Sequence, residues 1–218
     1  MKLTLYSYWR SSAAYRIRIA LNLKGAAYEQ IAVNIAPKVL EHRGDAYRAI
    51  NPQMRVPTLL VNGEPLTQSI AMLEWIEETL SGPALLPVEP LERAQCRAFA
   101  QTIVSDIHPV QNMSVLGSLR SDYGADDDGV RAWIHGVMTR GFEALESIAR
   151  GGANTQFLFG DHPTLADICL VPQLYNARRF AVPLETYPRL LEIDAAARAL
   201  PAFDAAAPEA QPDAPDPA

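Results

Sequence analysis

The sequence predicts an α/β domain over residues 1–82, an all-helical domain over residues 88–206, and a disordered tail over 207–218. Three observations carry this division. Up to about residue 80, period-two and helix-period patterns alternate. Gly82, Pro83, Pro87 and Pro90 then punctuate the stretch between Ser81 and Glu92 as a linker. Beyond Leu91 only helix periodicity is left, until Pro208, Pro212, Pro215 and Pro217 recur among alanines and acidic residues.

Each element has a local reason. Leu3 and Leu5 alternate with Lys2, Thr4 and Tyr6 as a strand, and Ala13, Ile17, Ala20 and Leu21 repeat at helix spacing up to the stop at Gly25. Tyr28–Val33 reads as a second strand. Thr58–Val61 and Glu64–Thr67 flank Asn62-Gly63, a pair suited to the type I′ turn of a hairpin. Ser69 opens a helix with Ile70, Leu73 and Ile76 facing inward. In the second half the helices are expected at about 91–118, 128–150, 164–178 and 188–199.

Composition excludes several function classes. A formal net charge of −6 argues against bulk attraction to nucleic acid or to an anionic membrane. Only two cysteines occur, Cys96 and Cys169, both in apolar helical contexts, so they read as inert core residues in a reducing compartment. No apolar run approaches membrane-spanning length and no signal core precedes the first strand, so a cytoplasmic protein is expected. No metal site is expected: Asp126-Asp127-Asp128-Gly129 lacks alternating ligands and reads as charge before a helix, and His135 and His162 lack partners at ligand spacing.

Three short motifs carry chemistry. Ser11 and Ser12 stand where the first strand gives way to a helix, flanked by Arg10 and Arg16, so a hydroxyl there can cap the helix and also hold an anion or thiolate. Gln68-Ser69 repeats the theme at a second helix start, where a plain cap is the simpler reading. Val56-Pro57 lies at a strand entrance. A cis bond would turn the Val56 backbone toward a peptide-like ligand, but from the motif alone the commoner trans form is expected. Thr164-Leu165-Ala166-Asp167 reads as a structural capping box.

In this order the motifs resemble the glutathione site of the glutathione transferases, most closely the zeta class. Ser11-Ser12-Ala13-Ala14-Tyr15-Arg16-Ile17-Arg18-Ile19-Ala20-Leu21 is similar to the class signature, which has a cysteine where Ala13 stands. Ile50-Asn51-Pro52 to Val56-Pro57, Gln68 to Trp75, and Asp161 to Pro172 are similar as well, so the resemblance spans residues 1–206. It implies a thioredoxin-like N-terminal domain, an all-helical C-terminal domain and a homodimer.

The resemblance also implies roles. Ser11 donates to the glutathione thiolate, with Ser12 and Ala13 lending backbone. Val56 pairs with the cysteinyl moiety, Gln68 and Ser69 hold the γ-glutamyl carboxylate, and His42 falls toward the glycyl end. His108, Asn112 and Ser114 form the helical domain's contribution, and Arg10 and Arg179 grip the carboxylates of a small dicarboxylate substrate. The implied activity is glutathione-dependent cis–trans isomerisation of maleylacetoacetate to fumarylacetoacetate by reversible thiolate addition. Maleylpyruvate as substrate, general conjugation of electrophiles, and a non-catalytic binding role stay open beside it. Ala13 speaks only against chemistry that needs a protein thiol.

Overall fold

The computed structural model describes residues 1–215. The chain divides into two compact units. One comprises Met1–Ala84 together with the chain from Leu200 onward, and the other comprises Leu85–Ala199.

The first unit is built on a four-stranded sheet in the order β2-β1-β3-β4, formed by β1 (Leu3–Ser7), β2 (Glu29–Ala32), β3 (Thr58–Val61) and β4 (Glu64–Leu66). β1 pairs parallel with β2 and antiparallel with β3, and β3 pairs antiparallel with β4. Being central, β1 buries Thr4 and Ser7 as well as Leu3 and Leu5. Asn62 and Gly63 take φ values of 51° and 96°, the two positive angles that a type I′ turn requires.

Helix α1 (Ser12–Leu23) and helix α3 (Ser69–Thr79) pack against each other, with the short α2 (Asp45–Ile50) between them in sequence. Lys24 and Glu77 join α1 to α3 in an ion pair of 2.8 Å, with both side chains largely buried. α2 and the 3₁₀ turn Glu41–Arg43 before it have no counterpart in the sequence reading, because segments of six and three residues carry too little periodicity to be seen.

In the second unit α7 (Leu165–Arg179) is buried over nearly its whole circumference, as a central helix should be. It packs against α4 (Pro90–Gln101) and α8 (Pro188–Arg198), while the 25-residue α6 (Asp127–Gly151) packs on α8 and meets α5 (Met113–Ser121). The helix expected over 91–118 is interrupted. After α4 the chain widens into a π-helical turn, Thr102–Ile107, with the His108 N–H donating to the Ile103 carbonyl at 2.8 Å, and the helix then breaks until Asn112 caps α5. Pro109 is the physical reason, since it lacks an N–H and its ring clashes with the preceding turn. Gly141 on α6 leaves room there for Ile107, which a Cβ would displace.

Carboxylates organise the helix starts, exposed at Asp126 and buried at Glu146 and Asp167. Asp126 caps α6 through the Gly129 N–H at 2.8 Å. Glu146, on α6, accepts from the N–H groups of Arg189 and Leu190 at 3.1 and 3.0 Å, so one helix supplies the anionic cap of another. α7 begins with the expected capping box of Thr164 and Asp167.

The C-terminal tail departs most from expectation. Residues 207–215 are ordered, and the last three of the chain lie outside the described residues. The chain from Leu200 forms α9 (Pro201–Asp204), which packs on α1, then a 3₁₀ turn at Pro208–Ala210. Gln211 is buried and fully used: its Nε2 donates to the Ala205 and Ala207 carbonyls, and its Oε1 accepts from Gln30. These polar bonds, one of which reaches 181 residues back to Gln30, are invisible to composition.

Candidate active site

The N-terminal unit places the predicted hydroxyls at two helix starts. Ser11 is the N-cap of α1, and its Oγ accepts from the Ala14 N–H at 3.3 Å. Because that acceptor position is engaged, the Ser11 proton is available to donate outward. Ser12 and Ala13 open the helix, Ser12 buried and Ala13 half-buried. Arg10 lays its guanidinium over the Trp9 ring, 5.2 Å from the centroid.

Ser69 is built the same way. It begins α3, is buried, and accepts at Oγ from Arg16 Nη1 at 3.2 Å. The sequence reading gave Arg16 only a general electrostatic role. It is instead almost fully buried on α1 and ties the two helix starts together. Gln68, before Ser69, has φ 68° and ψ 117°, a conformation that a residue with a side chain holds only when its surroundings over-determine it. Its amide donates to Gln53 Oε1 at 2.9 Å.

The Val56–Pro57 peptide is cis, contrary to the trans bond expected from the motif alone. Polar contacts fix the residues on either side of it. The Arg55 carbonyl accepts from the Tyr47 hydroxyl and from Asn51 Nδ2, each at 2.8 Å, and Thr58 Oγ1 meets both of those side chains again. Burial pushes the Tyr47 hydroxyl above its ordinary range, so it stays a neutral donor. The bracing role of Tyr47, Asn51 and Thr58 is not legible in the sequence, because their bonds close across a loop with no periodic pattern.

His42 sits in the 3₁₀ turn Glu41–Arg43, half-buried, with Nδ1 buried and lacking a hydrogen-bond partner. Desolvation, and secondly the Arg43 charge, lower its pKa, so its imidazole is neutral at pH 7.

The remaining predicted residues belong to the helical unit. His108 and Asn112 are half-buried at the break after the π-helical turn, and Asn112 Oδ1 accepts from the Met113 N–H at 2.7 Å. Ser114 is exposed in the first turn of α5. Arg179, exposed at the end of α7, lies over the Phe180 ring, 4.3 Å from its centroid. Its neighbour Arg178 is committed to Asp194 at 2.6 Å and serves the fold. The two cysteines are buried, and desolvation pushes the Cys96 thiol up to about 11.

A glutathione molecule is a peptide with two carboxylates, an amine and a thiol. The donor set of the first unit fits it: two hydroxyl donors at helix starts, a buried guanidinium behind one of them, and the backbone before a cis proline.

Comparison with known proteins agrees. The model for the N-terminal domain of glutathione S-transferases matches residues 1–78, and that for their C-terminal domain matches residues 131–203. The maleylacetoacetate isomerase of Pseudomonas aeruginosa is 47% identical over 97% of this chain and 98% of its own length. The holo structure of a maleylpyruvate isomerase, a bacterial zeta-class glutathione S-transferase, is 45% identical and superposes with a TM-score of 0.94, covering 97% of this chain and 100% of that one. The maleylacetoacetate isomerase of Anaeromyxobacter dehalogenans, solved with glutathione bound in its active site, is 47% identical with a TM-score of 0.87 over 98% of each chain. With both domain models matched and relatives aligned over nearly its full length, this chain belongs to the glutathione S-transferase family, within its zeta class.

Proposed function

We propose that the protein is a glutathione-dependent cis–trans isomerase that converts maleylacetoacetate to fumarylacetoacetate. The observation that carries this reading is the matched pair of serines. Ser11 and Ser69 each have an oxygen already engaged by a protein donor, so each offers its proton to a bound anion. When bound, glutathione supplies a thiolate whose reversible addition lowers the order of the conjugated double bond and lets the carbon skeleton rotate.

The chain's own residues divide the remaining work. Ser11, with the α1 N-terminus and the backbone of Ser12 and Ala13, holds the sulfur in its charged form. Val56 offers backbone to the cysteinyl part. Gln68 and Ser69 take the γ-glutamyl carboxylate with Arg16 behind them, and His42 lies toward the glycyl end. Arg10 and Arg179 are assigned to the substrate carboxylates, which suit a planar guanidinium, and to the negative charge that develops on the substrate carbonyl oxygen. His108, Asn112 and Ser114 complete the set. A cytoplasmic homodimer belongs to the same reading, supported by the two buried free thiols and by family membership.

Maleylpyruvate is the second candidate substrate, favoured by the TM-score of 0.94 to a maleylpyruvate isomerase. The deciding experiment is an ultraviolet isomerisation assay on each diacid with and without glutathione. Turnover of at least one, dependent on glutathione that is recovered unchanged, is expected. Accumulation of a glutathione conjugate without isomerised product would replace the reading with that of a conjugating transferase.

A further inference from the structure

The turn that delivers Ser11 is held from outside by the far end of the chain. Residues Tyr8–Ser11 form a β-turn closed by the Ser11 N–H donating to the Tyr8 carbonyl at 3.0 Å, with Trp9 and Arg10 at its centre. Such a turn has one internal hydrogen bond, and the backbone polar groups of Trp9 point away from it. Both find partners. The Trp9 N–H donates to Asp213 Oδ2 at 2.9 Å, across 204 residues of sequence. The Trp9 carbonyl accepts from Arg18 Nη2 at 3.0 Å.

Arg18 is itself fully buried on α1. Its Nε donates to the Ala206 carbonyl at 3.0 Å, and its Nη1 donates to Ser7 Oγ at 3.1 Å. One guanidinium therefore grips the end of β1, the turn and the returning tail at once. Gln211 folds the segment between Ala206 and Asp213 into place. The tail is thus a strut whose last fixed contact is made two residues before Ser11.

We propose that Asp213 is a positioning residue for the Ser11 hydroxyl, and that the C-terminal segment 205–213 sets how well the protein stabilises a bound thiolate. The proposal rests on the reading of Ser11 as the thiolate donor. Its mechanism is geometric. A hydrogen bond to a thiolate weakens steeply with misalignment, and Ser11 inherits its alignment from a turn pinned on both sides of Trp9. Asp213 acts as an acceptor in this scheme; its charge is incidental.

The test compares Asp213→Ala, Asp213→Asn and a chain ending after Ala207, with four readouts: amide hydrogen exchange at Trp9–Ser11, the pH at which bound glutathione ionises, kcat/KM for glutathione, and the thermal midpoint. Asn keeps an acceptor oxygen while losing the charge. Asp213→Ala and the shortened chain are expected to speed exchange at Trp9 and to raise the half-ionisation pH. They should also lower kcat/KM for glutathione by roughly three- to tenfold at neutral pH. Asp213→Asn should stay near the parent protein in all four readouts. Unchanged exchange and unchanged thiol ionisation in folded Asp213→Ala would overturn the proposal. So would equal damage from Ala and Asn, since the charge would then be what matters. If the parent protein does not ionise glutathione at all, the reading of Ser11 fails instead, and the exchange rate at Trp9 still decides whether the strut holds the turn.

Discussion

Asp167 turns its carboxylate back on Thr164, with Oδ2 lying 2.7 Å from the Thr164 backbone nitrogen and 2.8 Å from its hydroxyl. The other oxygen accepts from the Leu158 N–H at 3.0 Å, so the box that starts α7 also fastens the loop before it. All these donors are buried, and α7 is the helix around which the second unit is built. Losing the box is expected to cost stability and spare chemistry. Thr164→Ala should lower the free energy of unfolding by about 0.5–2 kcal/mol. Asp167→Ala should cost more, because it strands two buried N–H groups as well. Denaturation midpoints measured beside specific activity check this; full stability with lost activity would move the pair into the active site.

Ser11→Ala is expected to do the reverse. In the role proposed for Ser11, the change removes a hydrogen bond to a charged group, a loss of roughly 1.5–3 kcal/mol, or about one to two powers of ten in rate. The activity profile should also move to higher pH, since less of the bound thiol is ionised. Ser12→Ala should do less. Titrating bound glutathione by thiolate absorbance is the measurement, and an unchanged thiol pKa in Ser11→Ala would remove Ser11 from the role.

Arg179→Met should raise KM for a diacid far more than for a neutral electrophile such as a chlorodinitrobenzene, and leave KM for glutathione unmoved. Truncating one partner of a desolvated charge pair costs about 2–5 kcal/mol, whereas an exposed cation–π contact such as that with Phe180 is worth about 0.5–1 kcal/mol. Steady-state kinetics with the two substrate types separate these cases. Equal losses for both would make Arg179 a support of the fold.

His42 gives a pH signature. Its folded-state pKa lies below the ordinary imidazole value, so the stability it contributes is present above about pH 6.5 and is lost as the pH falls through its lowered pKa. Unfolding midpoints of the ligand-free protein should therefore decline between pH 7 and pH 5 more steeply than those of His42→Gln. In the role proposed for His42, a glutathione carboxylate beside the imidazole favours its charged form, so S-methylglutathione, which has no thiol to titrate, should bind more tightly over the same interval. Calorimetric titration checks the sign, and His42→Gln should flatten it.

Neither cysteine should react in the folded protein. With Cys96 pushed up to about 11 by burial and Cys169 fully buried, a disulfide reagent at pH 8 should find both thiols only after denaturation. Alkylation should leave activity intact, because Ala13 stands where the class signature has its cysteine.

The legible part of this protein was what local physics writes. Ser11, Ser69 and Thr164 announced helix starts, Asn62-Gly63 announced a hairpin, and the apolar spacing of α6, α7 and α8 survived almost residue for residue. The rest depends on segments too short to show a period, on the local break at Pro109, and on polar contacts that leave no pattern in the sequence. The isomer at Val56–Pro57 is accompanied by Tyr47 and Asn51 bonds that close across a loop, and the angle at Gln68 by a side-chain bond to Gln53. The tail was misjudged because its alanines and prolines predict no core, while its order comes from single polar atoms of Gln211 and Asp213 reaching residues near the start of the chain.

That return of the tail bears on how the protein is made. The first unit is discontinuous, with Leu85–Ala199 inserted between its two parts. During synthesis the inserted helical unit can close once its own residues have emerged, whereas β1 and α1 must wait for Ala206 and Asp213 before Arg18 and Trp9 find those partners. A chain interrupted after Ala199 would therefore keep its helical unit whole, while the turn before Ser11 would lack the contacts that Ala206 and Asp213 supply.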